Sequence, residues 1–192
     1  MGSEPFYYLI NTLFDLYISV VILRLWLQLV RADFYNPFCQ FVVKATNPLL
    51  KPLRRIIPGF GGVDVASIVL LLLVVLAKYT VLMVFQLIPK PLIIEAMQSL
   101  GGWLQLTSLV ALKKIGYLLF WVLVIRAILS WVSQGNNPIE YVMYQLTEPL
   151  MTPVRRVLPA MGGLDLSILV IFIALQFINI AFYGMFPLWS QI

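Results

Sequence analysis

The sequence predicts an all-α membrane protein with four transmembrane helices. They form two parallel helix–loop–helix repeats, each with an interfacial amphipathic helix. Composition predicts the class: hydrophobic residues make up 61% of the 192 and charged residues 11%, against about 25% charged in a soluble domain. Mean hydropathy is +0.95, more apolar surface than one soluble core hides, so the bilayer is the natural solvent. Four apolar runs approach the ~20 residues that cross a hydrocarbon core. A block of prolines, glycines and paired arginines, present twice, predicts the repeat.

The runs are Phe6 to Val30, Val65 to Ile88, about Ile115 to Val132, and Leu166 to Phe186. Pro89 and Pro91 close the second, since proline cannot continue a regular helix. Asp15 and Arg24 inside the first run argue against a cleaved signal peptide. Leu92 to Leu112 is apolar, but Glu95, Gln98 and Gly101-Gly102 interrupt it. It is read as an interfacial stretch, not a fifth span. The divisions are residues 1–90 as the first repeat, 91–112 as an interfacial linker and 113–192 as the second repeat.

Positive charge sets the orientation, because cytoplasmic loops hold the excess of Lys and Arg. Arg31, Lys44, Lys51, Arg54, Arg55, Arg155 and Arg156 fall on one side, seven in all, against Lys90, Lys113 and Lys114 on the other, which is three. The arginine-pair loops are therefore expected in the cytoplasm and both termini outside, in a multi-pass protein.

Residue usage narrows the chemistry. Cys39 is the one cysteine, so no internal disulfide forms, and there is no histidine. His-ligated metals, His general bases and Ser-His triads are excluded. With no nucleophile–base set and no metal-ligand cluster, neither an enzyme nor a metal or cofactor is expected.

Residues 36–64 read NPFCQFVVKATNPLLKPLRRIIPGFGGVD and residues 137–165 read NPIEYVMYQLTEPLMTPVRRVLPAMGGLD, at a constant offset of 101. Upstream, Arg24 matches Arg126 after one deleted residue. Each copy contains two crossings, so the copies should be parallel and related by an axis along the membrane normal. This doubled block between apolar helices resembles the YggT (YlmG-like) family over nearly the whole chain. The tandem form is similar to proteobacterial members. The resemblance implies a role in tolerance of osmotic stress or in ion and solute homeostasis. It also implies association with division genes, and a plastid branch assists haem attachment to a cytochrome b. It carries no catalytic residues.

In the block, Asn36-Pro37 and Asn137-Pro138 make helix starts, cap then proline. Phe38, Phe41, Val42 and Ala45 share an apolar face, as do Ile139, Val142, Met143 and Leu146. Each is an amphipathic helix of about three turns in the membrane interface, ended by Pro48 or Pro149. Pro52 and Pro153 then start turns presenting Arg54-Arg55 and Arg155-Arg156. The plain reading is a positive-inside anchor reaching lipid phosphates. The sharper one is a headgroup or anion site of four arginines around the pseudo-twofold axis. Arginine pairs alone do not indicate nucleic acid. Gly61-Gly62 and Gly162-Gly163 permit tight turns, and Asp64 and Asp165 stand where helix N-caps belong.

Within the spans, Asn11, Asp15 and Ser19 line one stripe of the first helix. Lys78 lies mid-span in the second, Gln176, Asn179 and Tyr183 stripe the fourth, and Arg126 stands near the inner end of the third. The structural reading is interhelical hydrogen bonding, and the functional one is a polar path between the repeats. Arg24 and Arg126 are close enough to the span ends to be expected to snorkel. Asp15 and Lys78 both sit ~14 Å deep by helical rise, where an isolated charge costs ~3 kcal/mol or more, so they are expected to pair. Their repeat mates, Tyr117 and Asn179, are neutral.

The function this supports is non-enzymatic: osmotic stress tolerance or ion and solute homeostasis, by forming or modulating a solute path. The alternative is a membrane scaffold or assembly factor for division or cytochrome machinery. The expected partners are the bilayer and its anionic headgroups. A second copy of the chain and other membrane proteins stay open, and nucleic acid is not expected.

Overall fold

A computed structural model of the chain describes residues 3–59, 64–88, 90–132, 137–157 and 166–192. Their regular structure is all helical: α1 (Ser3–Leu29), α2 (Pro37–Ile56), α3 (Val65–Val84), α4 (Pro91–Ala96), α5 (Leu100–Val132), α6 (Pro138–Val157), α7 (Leu166–Met185), and a 3-10 turn (Pro187–Ser190). Among the described residues, four helices are long and apolar enough to cross a membrane, over Glu4–Leu29, Val65–Val84, Leu100–Leu129 and Leu166–Met185. Pro89, Gly61, Gly62, Gly162, Gly163 and Asp165 lie outside the described residues.

Two helices end by capping. At the end of α1 the Ala32 N–H donates to Leu27 O (2.9 Å) and the Arg31 N–H to Gln28 O (3.1 Å), with Arg31 left-handed at φ 52°. At the end of α3 the Leu87 N–H donates to Leu82 O (2.8 Å) and the Gln86 N–H to Met83 O (2.9 Å), with Gln86 at φ 54°. Both are Schellman closures, formed here without glycine. The second span thus stops at Val84, short of the prolines expected to end it.

Two helix boundaries differ from expectation. Pro48 and Pro149 do not end the amphipathic helices. α2 and α6 each run 20 residues and hold Pro48 and Pro52, or Pro149 and Pro153, inside them. Each pair is spaced i, i+4 and lies on the exposed side. The carbonyls that lose their N–H partner therefore face outward, where the break costs least. The third span does not begin near Ile115. α4 turns sharply at its end and α5 starts at Leu100, so most of the expected linker belongs to a membrane-length helix. Gly102 makes the turn close: a Cβ there would overlap the Ala96 carbonyl.

Asn36 caps α2, accepting the Phe38 N–H at 3.0 Å, and Asn137 accepts the Ile139 N–H at 2.9 Å. The buried faces of α2 and α6 then meet. Cys39 and Val42 share a core with Val142, Met143 and Leu146, closed by Leu27 of α1 and Val122 of α5. Phe41 and Ile139, expected on the apolar faces, are exposed instead. Asn36 Nδ2 also donates to Pro138 O at 2.7 Å, tying one repeat to the other. The amphipathic helices thus sit side by side at one end of the bundle. At the other end, α4 packs on α5 beside the 3-10 turn, and the Phe6 and Phe85 rings meet at 5.3 Å.

Candidate functional site

Three helices bring charge together in the half of the bundle opposite α2 and α6. Lys78 Nζ lies 2.6 Å from Asp15 Oδ1, and Lys114 Nζ lies 2.6 Å from Asp15 Oδ2. Asn11, one turn before Asp15, donates to Oδ2 at 3.3 Å. Ser19, on the same stripe, hydrogen-bonds back to the Asp15 main-chain oxygen at 2.8 Å and does not extend the site. The Lys78 side chain is 5% exposed, and those of Asp15 and Lys114 are 21% and 26%. One carboxylate is therefore shared by two ammonium groups, leaving the cluster one positive charge in excess in a setting where each charge needs a partner.

These residues line a cavity of about 140 Å³ that reaches the helix ends at Ile88, Lys90, Gln191 and Ile192. Lys78, Lys90, Lys113 and Lys114 face it, with Asp15 the one acidic side chain among its described lining residues. Lys113 Nζ is held by main-chain oxygens, Trp189 O at 2.9 Å and Ile192 O at 2.6 Å. Toward the α2–α6 end, Ile18, Val21, Leu71 and Val75 are packed shut. The arrangement is an electropositive pocket with a dry floor.

The sequence does not single out Lys114, because its apolar run starts the third span near Ile115 and leaves Lys113 and Lys114 as loop cations. A helix begun at Leu100 places them about four turns inside it. The α7 stripe does not join the site. Asn179 accepts the Trp189 Nε1–H at 2.9 Å, while Gln176 and Tyr183 are exposed on the bundle surface.

At the opposite end, Arg24 and Arg126 do not snorkel. They are 8% and 9% exposed, because each lies against its own repeat's amphipathic helix. Arg126 donates to Thr147 Oγ1 and, at 3.2 Å, to Glu148 Oε2, over the Tyr144 ring at 4.8 Å. Arg155 Nη1 reaches Glu148 Oε1 at 2.9 Å. Arg54 pairs with Asp64. Two of the four block arginines, Arg54 and Arg155, are thus committed to carboxylates of the chain, while Arg55 and Arg156 are exposed, as is the paired Arg54.

Asp64 stands at the N-cap of α3, but its side chain does not cap. It accepts from Arg54 and, at 2.5 Å, from the Ser67 hydroxyl. Burial pushes the Asp64 carboxyl up, yet the hydrogen bonds from Arg54 and Ser67 outweigh it and hold the group below its ordinary value. Among the described residues no group of His, Cys, Asp and Glu is arranged to hold a metal.

Comparison with known proteins fits this architecture. The sequence model of the CCB3/YggT family matches residues 3–85 and again 105–186. A protein encoded in the proC 3′ region of Vibrio alginolyticus is 53% identical over 196 residues, covering all of both chains. YggT of Escherichia coli K12 is 46% identical over 172 residues, 90% of this chain and 86% of that one. A Haemophilus influenzae relative is 41% identical over 170 residues, 88% of this chain and 87% of its own. No solved structure matches.

Proposed function

The chain belongs to the CCB3/YggT family, and from that footing we propose a non-enzymatic role in osmotic or ion homeostasis, exercised in the bacterial inner membrane. The protein crosses the membrane four times, with both termini in the periplasm. The Asp15 pocket is the outer vestibule of a solute path. The observation that carries this reading is the shared carboxylate: Asp15 binds Lys78 and Lys114 at the bottom of a polar cavity open at the helix ends. A merely structural pair would be better replaced by apolar packing. The osmotic part draws on the family resemblance. With α5 starting at Leu100, Lys113 and Lys114 leave the loop tally, and seven cations at the α2–α6 end face Lys90 at the other.

Sealed vesicles test the path. After an upshift with potassium chloride or potassium glutamate, vesicles holding the wild-type chain should recover volume faster than empty ones, and Asp15→Asn should remove the difference. Equal recovery in all three would sink it. A C-terminal reporter fusion tests the topology, and a cytoplasmic C-terminus defeats it.

A second reading, a scaffold for division or cytochrome machinery, is favoured by an apolar groove of about 600 Å³ between α1, α2 and α3, lined by residues such as Leu13, Leu49, Ile56 and Leu73. Co-purifying partners lost on changing Arg54 and Arg55, with no flux, would favour it.

A further inference from the structure

The two buried arginines differ in what neutralises them. In the second repeat, Glu148 supplies the anion: it takes Arg126 at 3.2 Å, Arg155 at 2.9 Å and the Thr152 hydroxyl at 3.2 Å. In the first repeat the aligned residue is Asn47, and Thr152 and Gln145 align with Lys51 and Lys44. Relative to the second repeat, this face of the first has lost one negative charge and gained two positive ones.

Arg24 nonetheless stays inside, 8% exposed, and its Nε and Nη1 are buried without a hydrogen-bond partner among the described residues. The Phe34 ring lies under the guanidinium at 5.2 Å, which leaves the N–H edge of the fork unused. Asp64 is within electrostatic reach, but so is Arg54, and the Asp64 carboxylate is hydrogen-bonded by Arg54 and Ser67. Gln28, one turn along α1, also has a buried and unpaired Oε1. As a neutral amide it offers a hydrogen bond and no charge. Beside Arg24 is a cavity of about 320 Å³ lined by Phe34, Gln40, Val43 and Lys44, with no acidic side chain among its described lining residues.

We propose that this cavity is an oxyanion site for a phosphate group, filling in the first repeat the place that Glu148 fills in the second. A guanidinium fork matches the spacing of phosphate oxygens, and Lys44 brings a second cation. The site lies one to two turns from the end of α1, beside the amphipathic helix, at the level where lipid phosphates gather. The phosphate is supplied either by an anionic lipid headgroup or by free phosphate at the same surface. The site is separate from the Asp15 pocket and stands whether or not that pocket passes solute.

The test is thermal unfolding of the full chain in a maltoside detergent. The probes are inorganic phosphate against chloride at matched ionic strength, and phosphatidylglycerol against a galactolipid. A ligand that binds only the folded state raises the midpoint with concentration. Asn47→Glu gives the first repeat its own carboxylate. It should raise the midpoint without phosphate and weaken the response to phosphate about tenfold or more. Arg24→Gln should abolish the response. A rise with inorganic phosphate identifies a soluble oxyanion, and a rise with phosphatidylglycerol alone identifies a headgroup. No rise with either probe overturns the proposal. So does a response left intact in Asn47→Glu or in Arg24→Gln, whichever folds.

Discussion

Arg24 and Arg126 occupy matching places on α1 and α5, each buried against the amphipathic helix of its own repeat, yet the second has a carboxylate of the chain beside it and the first does not. The same divergence recurs at the other end. Asp15 and Lys78 face each other in the first repeat, while their mates are an exposed Tyr117 and an Asn179 bonded to Trp189. The doubled prolines and asparagine caps keep the helices in register in both copies. The charges inside that frame have drifted apart. The difference teaches that the frame needs the punctuation residues, whereas the ions are free to specialise each half.

The largest test of that contrast is at Asp15. Asp15→Asn leaves Lys78 and Lys114 near each other with no counter-charge. Losing one partner of a buried pair costs roughly 3–5 kcal/mol. Adding Lys78→Met should recover much of the loss, because a well-packed apolar side chain often replaces a buried ion without penalty. At the mate position, Tyr117→Phe should change stability by less than ~0.5 kcal/mol. Thermal unfolding in detergent reads all three. The contrast breaks if Asp15→Asn is as mild as Tyr117→Phe.

Next is the α2–α6 end. Glu148→Gln removes the charge that Arg126 and Arg155 share and should cost about 1.5–3 kcal/mol, the range for hydrogen bonds to charged groups. Asn47→Ala, the same position in the first repeat, should stay within ~0.5 kcal/mol. Comparable losses at both sites would mean that Asn47 serves Arg24 as Glu148 serves Arg126.

Much of the frame was legible because it is written in residues with one physical meaning. Asn-Pro starts a helix, an apolar run of ~20 residues spans a bilayer, and a constant offset of 101 declares the duplication. The boundaries were less legible. Pro48 reads as a stop and Pro52 as the start of a turn, yet a proline pair at i, i+4 on an exposed face leaves the helix intact. Gly101-Gly102 read as an interruption, yet α5 begins there and needs Gly102 to clear α4. The Asp15–Lys78 approach was legible from matched depth, ~14 Å in by helical rise, together with the cost of leaving either charge unpaired there. Lys114 and Glu148 were not, because their roles depend on where α5 starts and on how α6 lies against it. The snorkelling expectation for Arg24 and Arg126 failed for the same reason: depth along one helix says nothing of what packs over it.

A smaller effect separates the two caps. Asn36 and Asn137 each cap their helix, but Asn36 Nδ2 also donates to Pro138 O across the repeats. Asn137→Ala should cost about 1 kcal/mol, the usual value of an N-cap. Asn36→Ala should cost about 1 kcal/mol more, the worth of the added hydrogen bond. Equal losses would show that the cross-repeat bond contributes nothing, and the packing of Val42 against Val142 and Leu146 would then carry the contact between α2 and α6 alone.

The smallest effect is a pH dependence that the first repeat owes to Asp64. Its carboxyl is buried, which alone would raise it, but the hydrogen bonds from Arg54 and Ser67 bring it below the ordinary 3.8. A carboxyl lowered in the folded state stabilises above its unfolded value, and that contribution is lost as pH falls through the folded value. The window is therefore acidic, from about 4 downward, and nothing should change between pH 5 and 8 on this account. Arg54 is 38% exposed, so solvent screens the pair and its worth should stay below ~1 kcal/mol. Asp64→Asn keeps an oxygen for Ser67 and Arg54 but removes the charge. It should melt slightly lower than wild type at pH 7, and the two midpoints should converge on acidification below pH 4. If the gap instead stays constant down to pH 3, the Arg54–Asp64 charge pair contributes nothing, and the link between α2 and the start of α3 is hydrogen bonding that a neutral amide supplies equally well.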